Sequence, residues 1–173
     1  TAFGLNASQR DTVVANILSL VAADYAPYDI SFVADTTGLS SWYTWGIDDS
    51  AYAFSNNQPP QPDGSYLAID PYSPCPAGWD CDRLFGKAAN QPGGTDQFGN
   101  NIYNPTYART FAGSFALGAG SASPSNSSLY GASVDAISQA LANSGAHEIA
   151  HLFGVGHPSS CAFPCYDLMC VNQ

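Results

Sequence analysis

All three histidines, the single glutamate and the single methionine of this 173-residue chain fall between His147 and Met169. The stretch from His147 to His157 reads HEIAHLFGVGH. Histidines four positions apart share one face of a helix, so His147 and His151 can present both imidazoles to a single ion. Glu148 projects one position round the helix, where it is better placed to hold a water beside the metal than to ligate the metal. Gly154 has no Cβ and is expected to take the left-handed conformation that ends a helix abruptly. The chain then doubles back and brings His157 to the same ion. Three neutral imidazoles on zinc leave one tetrahedral position open, which is the arrangement of a hydrolytic site. Zinc lowers the pKa of a water from 15.7 to about 7 and polarises a carbonyl. Glu148 is then the general base toward that water and the proton donor to the leaving amine.

Two other readings of the same residues stay open. A closed structural site needs a fourth protein ligand, which Cys161 or Asp167 could supply. The chain would then be a non-catalytic binding module that keeps zinc for structure or recognition.

The elements that position these residues follow from periodicity and caps. Val13, Val14, Ile17, Leu18, Leu20 and Val21 recur at helical spacing over residues 8 to 26, and Ala26-Pro27 ends the run. Asp29 to Val33 reads as a short buried strand, with further strands expected at 41–45, 51–54 and 65–69. The span from about 35 to 105 is loop-rich, with Gln-Pro-Pro-Gln-Pro-Asp-Gly at 58–64. Tyr107 to Leu117 is the expected later strand and the candidate upper edge of a substrate cleft, since an exposed edge can pair with an extended peptide. Ser133 is a good N-cap for a second long helix, with Asp135 in its first turn where negative charge suits the helix dipole. The result is an α+β chain in the order helix, strands, helix, C-terminal loop.

The extended spacing His-Glu-x-x-His-x-x-Gly-x-x-His, met at His147, Glu148, His151, Gly154 and His157, followed by Met169 in Asp-Leu-Met-Cys, resembles the metzincin clan of zinc metallopeptidases. The likeness is carried by residues 133 to 170; elsewhere only the order of elements is similar. It implies a small domain with a twisted mixed sheet, two long helices and a cleft between a sheet edge and a very short C-terminal segment. It also implies that Met169 forms the hydrophobic Met-turn beneath the metal and that the substrate is a protein or peptide. Pro158 after the third histidine is similar to serralysins, whereas Val171 stands where those enzymes place a tyrosine ligand. The chain stops four residues after Met169. Residues 1–173 are therefore expected to be a single catalytic domain, either minimal or cut from a longer precursor.

Composition narrows the partners. Fourteen acidic residues against four basic ones give a formal net charge of −10. Phosphate binding needs cationic side chains in quantity, so nucleic acid and anionic membranes are not expected partners. No run of apolar residues is long enough to span a bilayer. Few Lys and Glu beside abundant Ser, Asn, Gly and Tyr have the look of an exported protein, expected to act as a monomer. Asn6-Ala7-Ser8 and Asn126-Ser127-Ser128 are glycosylation sequons. Cys75 and Cys81 bracket a turn that can close a small disulfide loop, and Cys161, Cys165 and Cys170 crowd the segment after the last histidine. Bridges among them would suit an oxidising compartment, but five is odd and the connectivity is not readable. Residues 93–101 (GGTDQFGNN) carry oxygen ligands of the kind calcium takes, and ordinary turn chemistry explains the same residues.

Overall fold

A computed structural model describes residues 2–35, 37–55, 57–59, 68–70, 76–79, 81–88, 92–95, 101–103, 107–117 and 128–155. The expectations for His157, Met169, Cys75, the three C-terminal cysteines, the sequon at Asn126, the tail of the cleft and the centre of the 93–101 loop lie outside these residues.

The chain opens with helix α1 (Ala7–Asp24). Strands β1 (Thr44–Asp48), β2 (Tyr52–Ser55), β3 (Ala68–Ile69), β4 (Cys81–Leu84), β5 (Gly86–Ala88), β6 (Pro92–Thr95), β7 (Asn101–Tyr103) and β8 (Tyr107–Phe111) follow. Helices α2 (Ala112–Leu117) and α3 (Val134–Leu152) complete the described elements. The architecture is α+β, with a three-stranded mixed sheet in the order β1-β8-β5. In that sheet β1 runs parallel to β8 and β5 antiparallel to it. Strands β3-β2-β4 form a second small sheet, and β6-β7 form a pair.

Both long helices begin on the chemistry of their caps. Asn6 accepts from the Gln9 backbone N–H at 2.9 Å while the Gln9 side chain accepts from the Asn6 N–H, a complete capping box. Asn6 of the first sequon thus has a structural role as a helix cap. Ser133 Oγ accepts from the Ala136 N–H at 3.2 Å and starts α3, with Asp135 in its first turn as expected.

The core forms where these helices cross. Val13, Ile17 and Val21 repeat every four residues on α1 and make one buried stripe. They meet Ile137, Leu141, Ala142, Ala146 and Ile149 of α3 in one cluster, joined by Phe3 and Tyr25. Burying each Val or Ile here is worth about 1.5–3 kcal/mol. The sheet lies against another face of α3, where Ala88, Ala108 and Leu152 cluster with Trp45. Alanines at the sheet contacts let α3 approach its backbone closely.

Three strand expectations need correction. Asp29 to Val33 is not a strand: Ile30 and Phe32 pack on the core, but the backbone joins no ladder. Phe32 instead sits against the Tyr25 ring at 5.5 Å. This segment, α1 and β1 together line an open apolar groove of about 700 Å³. Tyr107 to Leu117 is a strand only as far as Phe111. Its partner β1 ends at Asp48, paired with Phe111, and a chain without a ladder partner satisfies its backbone by coiling into α2. Nor is this strand a cleft edge, because β8 is flanked on both sides, by β1 and β5. The strands expected at 41–45 and 51–54 occur displaced by one to three residues, as β1 and β2. Of the one expected at 65–69, residues 65–67 lie outside the described residues and 68–69 are β3. Among the described residues no helix is long and apolar enough to cross a membrane.

Candidate metal centre

The last two turns of α3 carry His147, Glu148 and His151. The two imidazoles stand edge to face, with ring centroids 4.8 Å apart and their Nε2 atoms separated by 3.2 Å. Ligand nitrogens at about 2.0–2.1 Å from a tetrahedral zinc lie roughly 3.3–3.4 Å from one another. The pair therefore already spans nearly one edge of such a tetrahedron.

The orientation of His151 is fixed by how the helix ends. Gly154 adopts φ +82°. The Gly154 N–H donates to His151 O at 3.0 Å and the Val155 N–H donates to Ala150 O at 3.1 Å. These two bonds make a Schellman cap, which only a residue tolerant of positive φ can close without strain. The turn delivers the Val155 carbonyl to His151 Nδ1 at 2.7 Å. A carbonyl only accepts, so Nδ1 carries the hydrogen, and in the neutral ring Nε2 is the lone-pair atom facing His147. Burial holds His151 below the usual imidazole range; the Val155 hydrogen bond opposes this and His147 adds to it. A neutral ring is the form that binds metal.

Glu148 is 7% exposed, packed beneath β5. A Cβ built on Gly86 would lie 2.6 Å from both Cγ and Oε1 of Glu148. Glycine at that strand position is what lets β5 close over the carboxyl. Burial pushes the Glu148 carboxyl up to about 7, while the Ala88 N–H donating to it pulls the other way. An acid held near neutrality can both take and return a proton.

Strand register explains why Ala88 is available to Glu148. The Phe111 N–H donates to Phe85 O at 2.9 Å, and Lys87 pairs with Arg109 two residues further along the same ladder. Bonded and non-bonded pairs alternate in antiparallel sheets. Lys87 therefore bonds to β8, whereas the backbone groups of Gly86 and Ala88 point away from β8, to a side on which both residues are buried.

No family model, curated protein or solved structure matches this chain. The site has to be read from its own geometry. Among the described residues, no three His, Cys, Asp or Glu side chains gather closely enough to hold an ion. The expected third ligand, His157, is outside the described residues, as is Met169. What the structure brings together is His147, His151 and Glu148, with Gly154 at the turn where it was expected.

Sequence reasoning missed the residues that hold these groups in place. Gly86 and Ala88 cradle Glu148, and the only hint was an isolated glycine between Phe85 and Lys87, a sign of close backbone approach when it falls in a strand. Gly145 was missed too; a Cβ there would lie 2.0 Å from Cζ2 of Trp45, whose indole N–H donates to Thr110 Oγ1 at 3.1 Å. Trp45 thus wedges between the sheet and α3 two residues before His147.

Proposed function

We propose that the chain is a zinc-dependent endopeptidase of metzincin type, exported and acting as a monomer. The observation that carries the reading is the 3.2 Å separation of the His147 and His151 Nε2 atoms, with the Glu148 carboxyl one position away on the same helix. His147 and His151 would hold the ion, with His157 as the third ligand. Bound there, zinc would supply Lewis acidity to a peptide carbonyl and make a water more acidic.

The remaining work belongs to the chain. The Glu148 carboxylate takes a proton from the attacking water and delivers it to the amine nitrogen as the C–N bond breaks. The Ala88 N–H holds that carboxylate in place.

Incubating the purified chain with casein and with a mixed peptide library, with and without a zinc chelator, tests the proposal. Chelator-sensitive cleavage is expected, and Glu148→Ala is expected to abolish it with zinc still bound. A chain that binds zinc and cleaves nothing between pH 4 and 9 is the non-catalytic binding module instead. A Glu148→Ala variant that still cleaves would remove the base from the mechanism.

A further inference from the structure

We infer that the apolar groove beside β1 docks an extended polypeptide segment with alternating bulky apolar side chains and a lysine or arginine at one end. The inference goes beyond the endopeptidase reading and does not depend on it.

Among the described residues β1 pairs with β8 alone and is the outer strand of its sheet. An outer strand keeps backbone N–H and C=O groups on its free side without ladder partners. No residue of β1 is buried: Thr44 and Ile47 are exposed and the other three are half-buried. Trp45 and Ile47, two apart and so on one face of the strand, line the groove together with Ile17 of α1 and Ile149 and Leu152 of α3. Among the described residues none from β8 or β5 lines it. The groove therefore lies at the β1 end of the sheet, where a further strand would cover the two helices.

Two observations say what the occupant is. Residues 29–34 form another wall, and among the described residues no hydrogen bond reaches the backbone of Ser31, Phe32, Val33 or Ala34. Ser31, Val33 and Ala34 are exposed, so these groups are accessible as well. A polypeptide can bond backbone to backbone along such walls, with alternate side chains turned into the apolar floor. The second observation is charge. Asp29 is the one charged residue among the described residues that line the groove; it is exposed, and no described cation pairs with it. The faces of Trp42 and Tyr43, 51% and 53% exposed along the same groove, also attract a cation. The occupant's charge is therefore positive, complementary to Asp29.

The probe is a fluorescein-labelled peptide, Lys-Val-Thr-Val-Thr-Val-Lys, with a lysine at each end so that either strand direction brings one to Asp29. Fluorescence anisotropy follows its binding to the full chain carrying Glu148→Ala, which avoids cleavage of the probe. Saturable binding is expected, and exchanging both lysines for glutamates should weaken it roughly two- to fivefold. That difference should shrink at 0.5 M salt and invert in Asp29→Lys. Methylating the backbone nitrogens of the valines removes the donors on one edge of the peptide, and methylating those of the threonines removes them on the other. One of these two peptides should bind roughly tenfold more weakly or worse. No saturable binding, equal binding of the parent and both methylated peptides, or a charge order unchanged in Asp29→Lys overturns the inference. Displacement of the probe by monomeric dodecyltrimethylammonium, with no effect of backbone methylation, makes the occupant a cationic amphiphile and overturns it too. So does a dimer in sedimentation that the peptide disperses, which makes the occupant a second copy of the chain.

Discussion

The indole of Trp45 occupies the space that a side chain on Gly145 would need. A Cβ at Gly145 would lie within 2.0–2.7 Å of three atoms of the ring, which is tethered to Thr110. Gly145→Ala should therefore destabilise the fold by about 1–3 kcal/mol, despite a gain of up to about 1 kcal/mol in helix propensity. Urea unfolding of Gly145→Ala beside Gly145→Ala/Trp45→Leu measures it. Part of the loss should return in the double variant, because the two residues share one space. An alanine variant as stable as the parent would mean that the wedge is not there.

A second expectation concerns the joint between the two long helices. The Tyr25 hydroxyl, at the end of α1, donates to Ala146 O at 2.7 Å next to His147. Tyr25→Phe should cost about 1 kcal/mol at neutral pH. Burial, with lesser contributions from Asp24 and Tyr28, pushes the Tyr25 hydroxyl up from 10.0 to about 12. A group whose pKa is raised on folding stabilises fully below its unfolded value and loses that contribution as pH rises through the folded one. Wild-type stability should thus decline between pH 10 and about 12 by an amount that Tyr25→Phe lacks. Parallel denaturation curves for the two proteins across that range would contradict the assignment.

The third expectation separates the turn from the ligands. Gly154 carries φ +82° and has open space around its missing Cβ, so a substitution there strains the backbone without a clash. Gly154→Val should loosen the Val155 carbonyl from His151 and lower zinc affinity roughly 10- to 100-fold, as losing an outer hydrogen bond to a ligand does. Gly154→Asn should be milder, because asparagine tolerates the left-handed region. Chelator competition gives the affinities; equal values in all three proteins would show that the turn does not orient the ring.

What the sequence made legible was local. Ser133, Asp135 and Gly154 mark both ends of α3 because caps act within one turn, and the His147–His151 face follows from helical period alone. The Glu148 environment was illegible because it depends on β5, a three-residue strand with too short a pattern to recognise. The Trp45–Gly145 contact likewise joins residues far apart in the chain. Asp29 to Val33 has strand composition, yet composition does not supply a partner ladder. Phe111 looked like mid-strand because nothing nearby in sequence reports that β1 stops at Asp48.

The last turn of α3 has a different property on its reverse side. Ile149, Leu152 and Phe153 line the open apolar groove of about 700 Å³ shared with α1 and β1. Trp42, Tyr43 and Phe153 along it are exposed, so water reaches these apolar side chains in the folded chain. Apolar surface that is already wetted adds nothing to the heat capacity of unfolding, so the back of this turn contributes less to that change than the core between α1 and α3 does.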